Sequence, residues 1–263
     1  MKAGLIDRAE DAFGALEGTP FETEARLALL GLHERSRDWS GAIEIASRLE
    51  QAGTGSFAAR IAHYHCELAA EAQDHGDSAA ADAHLAQAQA AAPQAARPLI
   101  QRAQRLALAS DAAAALAVYA DLRLRDPGSF VRVAADYAAC AQHADQADAA
   151  REVLGAMFQR QPGLDLLRAL ALLEGGAPGG SPRLAALLRD QPSLSAAIEL
   201  LDVPCAQWPA AAQASMREAV ARAARPLQRY RCAACGFESQ RHFWQCPGCL
   251  GWDSFPPQRI EEL

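Results

Sequence analysis

The sequence predicts an all-α array of tandem helix-turn-helix repeats, a superhelix closed at its C-terminal end by a small four-cysteine knuckle. Three observations predict it: a recurring register, a composition dominated by alanine, and the spacing of the last four cysteines. The register Gly76, Ala81, Leu85, Ala88, Pro93 recurs in Ser110, Ala115, Tyr119, Leu122, Pro127, and again in Asp145, Ala150, Leu154, Met157, Pro162. Its prolines stand 34 and then 35 residues apart, which is the tetratricopeptide period. In each unit a small residue lets two helices cross closely, a larger one packs on the next unit, and the proline ends the second helix. Ala69, Ala103 and Ala138 hold the matching small-residue slot of the first helices.

Two earlier units keep the register. Arg37, Ala42, Ala46 and Leu49 are followed by a longer loop, Gln51–Ser56. Gly4, Ala9, Phe13 and Leu16 form only a second helix, because Met1 falls where the first should be ending. An apolar stripe without its partner predicts that this end frays or buries itself in a homo-oligomeric contact. After Pro162 the units degenerate. Helices are expected over Leu164–Leu173, Arg183–Arg189, Leu194–Leu201 and Ala210–Ala224. Gly175–Pro182, Pro204 and Pro209 separate them, and Pro226 begins the link to the knuckle. The expected domains are therefore residues 1–226 for the array and 227–263 for the cysteine module.

Composition narrows the function. Alanine costs no side-chain entropy in a helix and β-branched residues are sparse, which favours helices throughout. The net charge of −7 argues against a broad nucleic-acid-binding surface. No run of 18 apolar residues and no basic leader followed by a cleavage site is present, so the chain taken alone reads as soluble and unexported. Seven cysteines, four of them in two tight pairs, fit a reducing compartment better than a disulfide framework.

The chemistry concentrates in Cys232-x2-Cys235-x10-Cys246-x2-Cys249. Two C-x2-C turns offer four thiolates to one tetrahedral ion, zinc or iron, and leave no open position for a substrate. The ten-residue spacer suits a short hairpin and is shorter than the ~15–20 residues of many zinc ribbons. Gly236 and Gly251 are expected to take the positive φ of the two turns. Tyr230, Phe237, Trp244 and Trp252 are expected to cover the small core, with the knuckle docked on the repeats. A thioredoxin-like redox pair would need one C-x-x-C in a βαβ setting, which is absent.

Other candidates are weaker. His63 and Cys66 lie at i and i+3, with His65 beside them, but their helix belongs to a repeat, so packing outweighs a second metal site. Cys140 and Cys205 read as small buried hydrophobes. Arg225, Arg229 and Arg231 form a basic cluster that is either a solvated linker or a docking patch for an acidic partner or lipid headgroups. No nucleophile elbow, P-loop, zincin or dinucleotide motif occurs, so no enzyme is expected.

The run Tyr230-Arg-Cys-x2-Cys-Gly-Phe237 followed by Trp244-x-Cys-Pro-x-Cys249-x2-Trp252 resembles the rubredoxin-like tail of the lipopolysaccharide assembly protein B family of Gram-negative bacteria. So do the run from Ala3 to Phe13 and the run from Ile61 to Ala69, and the resemblance covers nearly the whole chain. It implies a non-catalytic adaptor at the cytoplasmic face of the inner membrane. Such an adaptor helps a membrane-bound ATP-dependent protease degrade the deacetylase that commits precursor to lipid A, and a membrane sensor of lipopolysaccharide binds it. It also implies Cys232, Cys235, Cys246 and Cys249 as ligands of one zinc or iron ion. The family's N-terminal membrane helix and first repeats have no counterpart in this sequence, which leaves membrane attachment and protease recruitment open. Three other functions fit the residues less well: a rubredoxin-like electron carrier with a helical docking platform, a generic tetratricopeptide interaction module, and a nucleic-acid-binding zinc ribbon. The acidic balance opposes the last.

Overall fold

The computed structural model of the chain describes residue 8 and residues 11–16, 18–208 and 211–262. The expected register positions Gly4 and Ala9, together with Pro209 and Ala210, lie outside the described residues. The chain falls into two compact units, Met1–Gln146 and Ala147–Leu263.

In the first unit the helices are α1 (Glu22–Ser36), α2 (Trp39–Gln51), α3 (Ala58–Asp74), α4 (Ser78–Ala91), α5 (Ala96–Leu108), α6 (Ala112–Arg125), the short α7 (Pro127–Val131) and α8 (Ala134–His143). They pack as consecutive hairpins, α1 on α2, α3 on α4 and α5 on α6. The recurring register now has a physical meaning. Its first position, Arg37, Gly76, Ser110 and Asp145, is left-handed each time, with φ of 61°, 77°, 62° and 55°. In the three hairpins this residue reverses the chain after the first helix, and Asp145 follows the end of α8 in the same way. The following amide then reaches back to a carbonyl five residues earlier: Asp38 to His33 at 2.9 Å, Asp77 to Ala72 at 2.8 Å, Asp111 to Leu106 at 2.9 Å and Gln146 to Ala141 at 2.8 Å. That is a Schellman closure of the last carbonyls. In three of the four the same residue is also the N-cap of the next helix. Asp38, Asp77 and Asp111 accept from the amides of Gly41, Ala80 and Ala114 at 3.1, 2.9 and 3.0 Å.

Beyond the turn the small and large positions are buried as expected. Ala42, Ala46, Leu49, Ala81, Leu85, Ala88, Ala115, Tyr119 and Leu122 all lie in the core, as do Ala69, Ala103 and Ala138 of the first helices. Leu29, Leu30, Ala42, Ile45, Ala46, Leu49, Phe57, Ile61 and Tyr64 form one cluster across α1, α2 and α3, and Phe13 packs against its edge. Neighbouring hairpins are also tied by polar contacts. Glu34 of α1 accepts from Arg60 at 2.6 Å and from the Tyr64 hydroxyl at 2.5 Å, both on α3, and Arg97 of α5 donates to Glu67 of α3 at 2.7 Å. Burial and the Glu34 contact push the Tyr64 phenol up to about 12, so it stays a hydrogen-bond donor at neutral pH.

Among the described residues the buried Tyr119 hydroxyl finds no hydrogen-bond partner. Its ring stands edge-on to Tyr137 with centroids 6.3 Å apart, and desolvation holds the phenol well above its usual pKa. A buried polar atom left unsatisfied costs roughly 1–3 kcal/mol. Tyr119→Phe removes that cost and keeps the ring, so it should raise stability by about 1 kcal/mol. The check is the midpoint of urea unfolding, and a lower midpoint than wild type would refute the expectation.

The second unit holds α9 (Ala147–Arg160), α10 (Leu164–Leu173), α11 (Pro182–Asp190), α12 (Leu194–Leu201) and α13 (Ala212–Leu227), then strands β1 (Tyr230–Arg231) and β2 (Glu238–Ser239). Its core gathers Leu167, Leu184, Leu187, Leu188, Ala196, Ala197, Leu200, Ala212 and Ala219. Gly179, in the break between α10 and α11, is there for space. A β-carbon on it would stand 2.2 Å from the carbonyl oxygen of Glu199 on α12. Two expectations are corrected here. Helix α13 does not stop before Pro226 but carries it in its last turn, where the ring removes one i to i−4 hydrogen bond and the helix ends at the next residue, Leu227. Cys205 is exposed, not buried, because Pro204 leads it into a separate short turn, Cys205–Gln207.

Among the described residues, no helix is long and apolar enough to cross a membrane.

Candidate metal centre

Each C-x2-C pair sits on a reverse turn of the same construction. The Cys232 amide donates to the Phe237 carbonyl and the Gly236 amide to the Cys232 carbonyl, both at 2.9 Å. In the second turn the Cys246 amide donates to the Gly251 carbonyl and the Leu250 amide to the Cys246 carbonyl, again at 2.9 Å. Gly236 has φ +78°, as the first turn requires, but the matching residue of the second turn is Leu250, with φ +59°. Gly251 is therefore not the positive-φ residue expected. Strands β1 and β2 pair antiparallel around the first turn, Tyr230 opposite Ser239 and Arg231 opposite Glu238. A single bridge between Gln245 and Trp252 closes the second.

These two turns bring the four predicted residues together. The sulfurs of Cys232, Cys235, Cys246 and Cys249 all lie within 4.8 Å of one another. Cys232 and Cys249 are 3.8 Å apart at sulfur, and Cys235 and Cys246 are 3.7 Å apart. A tetrahedral ion with metal–sulfur bonds of ~2.3 Å needs sulfurs about 3.8 Å apart, whereas a disulfide needs about 2.05 Å. The arrangement fits one metal ion and does not fit a disulfide. Among the described residues this is the one group of three or more His, Cys, Asp or Glu side chains placed to hold an ion.

Electrostatics in the tetrad agree. The Ser254 side chain beside Cys232 contributes most to drawing that thiol down to about 6, against desolvation and with help from the amides of Cys235 and Ala234. At Cys235 the Phe237 amide also favours the thiolate, yet desolvation and the three neighbouring sulfurs push the group up to about 12. Backbone donors thus invite thiolates while mutual repulsion forbids four of them together. A divalent or trivalent cation at the centre resolves that conflict. Cys232 and Cys246 are buried and Cys235 and Cys249 exposed, so the cage has a closed side and a solvent side.

The aromatic cover differs from the expectation. Phe255 is the buried ring beside Cys232 and Cys246, with Tyr230 and Phe243 packed against them. Phe243 meets Phe255 edge-on at 5.9 Å, and His242 holds the Phe255 carbonyl through Nε2 at 3.1 Å. Phe255, Phe243 and His242 were missed by sequence reasoning. Their signal was available, since an aromatic just outside each end of the second hairpin can fold back over the sulfurs. Trp244 and Trp252, by contrast, are 72% and 69% exposed, and Phe237 is 40% exposed. The module's last turn, Ile260–Glu262, lies against α13; within the module the Ile260 amide donates to the Arg229 carbonyl at 2.8 Å, and the Arg259 guanidinium lies over the Tyr230 ring.

Of the basic cluster, Arg231 and Arg229 both turn to Glu238, at 2.8 and 3.7 Å, which weakens it as an anion-docking patch. His63 and Cys66 form no site. Cys66 is buried and desolvation pushes its thiol up to about 11, while His63 faces solvent.

Fold and site together define a helical-repeat protein that carries a rubredoxin-type four-cysteine centre. Residues 230–257 match the family model described as a rubredoxin metal binding domain. Over 98% of its length the chain is 28% identical to lipopolysaccharide assembly protein B of Escherichia coli K12, of which it covers 69%. The proteins of the same name from the O6:H1 and O157:H7 strains match with the same identity and coverage. The resemblance to the lipopolysaccharide assembly protein B family therefore holds along almost the whole chain.

Proposed function

We propose that this protein is a non-enzymatic regulator of lipopolysaccharide assembly. In this reading it is an adaptor that promotes proteolysis of the lipid A deacetylase by a membrane-bound ATP-dependent protease and is itself bound by a membrane sensor of lipopolysaccharide. The similarity over 98% of the chain supports the pathway. The observation that carries the adaptor mechanism is the tetrad. Four protein thiolates fill a tetrahedral ion, so the centre holds structure and offers no position for substrate. Cys232, Cys235, Cys246 and Cys249 are the proposed ligands of one zinc or iron ion, and when bound the ion supplies folding energy to a module too small to supply its own. The array of residues 1–226 and the module of residues 227–263 are proposed as separate folding units, acting from the cytoplasm.

The test is a pull-down from a Gram-negative lysate with the wild-type chain and with Cys232→Ser, together with the half-life of the deacetylase in cells carrying each. Capture of the protease and deacetylase by wild type alone, with a shortened deacetylase half-life, is the expected result. An unchanged half-life in the presence and absence of the wild-type chain would refute the reading. A red chain that cycles reversibly between two oxidation states, with no effect on the deacetylase, would establish the electron carrier instead.

A further inference from the structure

Helices α3 and α4 pack as one hairpin, and that packing sets two histidines against each other. The Nδ1 atoms of His65 on α3 and His84 on α4 are 3.4 Å apart. Their ring centroids are 5.6 Å apart with the planes 28° from parallel, so the rings meet by their nitrogen edges more closely than by their centres. A nitrogen pair at this distance is long for a hydrogen bond, which prefers about 2.7–3.2 Å. It matches two imidazoles on one tetrahedral ion, where bonds of ~2.0–2.1 Å put the nitrogens about 3.3–3.4 Å apart.

The surroundings of His65 suit a neutral ligand. Desolvation, and then the neighbouring His84, hold His65 below the usual histidine range, so it presents a free lone pair at neutral pH. Both residues are half-buried. Among the described residues no third His, Cys, Asp or Glu joins the two, so water would complete the coordination.

We propose that His65 and His84 form a bis-histidine site for a divalent transition cation of the zinc and nickel class, distinct from the cysteine centre. The ion bridges α3 and α4 and locks that hairpin. The site needs neither helix to move, and two imidazoles with no carboxylate select borderline metals over magnesium or calcium. Sequence reasoning noted His65 beside His63 and Cys66 and favoured packing over a second metal site there; His84 reaches His65 only through the fold.

The experiment uses the full, tag-free chain with its cysteine centre saturated with zinc, titrated with Ni2+ by calorimetry and followed by thermal unfolding. One further equivalent should bind with micromolar affinity. Free Ni2+ at about a hundred times the dissociation constant should raise the ratio of folded to unfolded chain roughly a hundredfold, seen as a higher melting temperature. Both effects should vanish in His65→Ala and in the milder His84→Gln, each checked for native helical content, and should persist in His63→Ala. A wild-type chain that takes up no further equivalent, or variants that bind Ni2+ as wild type does, would overturn the proposal and leave the pair as a packing contact.

Discussion

Cys246→Ser is expected to abolish metal retention and unfold residues 230–257 while leaving the helices in place. Cys246 is fully buried, packed with Cys232 and Phe255 in the one small cluster that the module owns. A serine oxygen at this position binds a borderline-soft ion poorly and leaves three crowded thiolates without the fourth. Structural zinc contributes on the order of 10–16 kcal/mol to modules of this size, far more than the few apolar contacts here can replace. The repeats should survive, because each hairpin is stabilised by its own neighbours. Elemental analysis should show loss of the stoichiometric ion. Trypsin should cut rapidly after Arg241 in the variant and slowly in wild type, with the helical circular dichroism nearly unchanged. A variant that keeps a full equivalent of metal and the wild-type digestion rate would contradict the assignment of this ligand.

Phe130→Ala should cost about 3–5 kcal/mol, the usual range for emptying a buried aromatic site. Phe130 is fully buried on α7, a five-residue helix begun by Asp126, whose carboxylate accepts from the Ser129 amide at 2.9 Å, with Pro127 at its first position. Its ring stands edge-on to Tyr137 at 5.2 Å, and Tyr137 stands edge-on to Tyr119. The three rings fill the space between α6, α7 and α8, so an alanine leaves a void that backbone caps on both sides prevent from closing. Urea unfolding is the measurement. Leu124→Ala is the control. Its side chain is 74% exposed, so its change should stay within about 0.5 kcal/mol. A loss below 1 kcal/mol at Phe130 would show that the aromatic cluster collapses around the gap.

Much of this fold is legible in the residues. The register Gly76, Ser110, Asp145 locates the turns, since one left-handed residue per hairpin and one small residue per crossing are local demands. Helix α10 at Leu164–Leu173 and helix α12 at Leu194–Leu201 have the bounds expected of them. The four cysteines are legible because tetrahedral thiolate ligation dictates their spacing.

Other features are not. Leu250 holds a positive φ that glycine would be expected to take, because the hydrogen bonds of the second turn impose it from both sides. The sequence expects the tryptophans to cover the core, yet they stand largely exposed, since Phe255, Phe243 and Tyr230 pack on the buried sulfurs instead. His65 and His84 lie nineteen residues apart on two helices whose relative rotation no local pattern specifies. The sequence by itself determined periodicity, turns and metal ligands, because these follow from backbone geometry and coordination chemistry at short range. The tertiary structure decided which aromatic fills the core, which face stays open and which distant side chains meet, because those outcomes depend on competition for a limited interior volume.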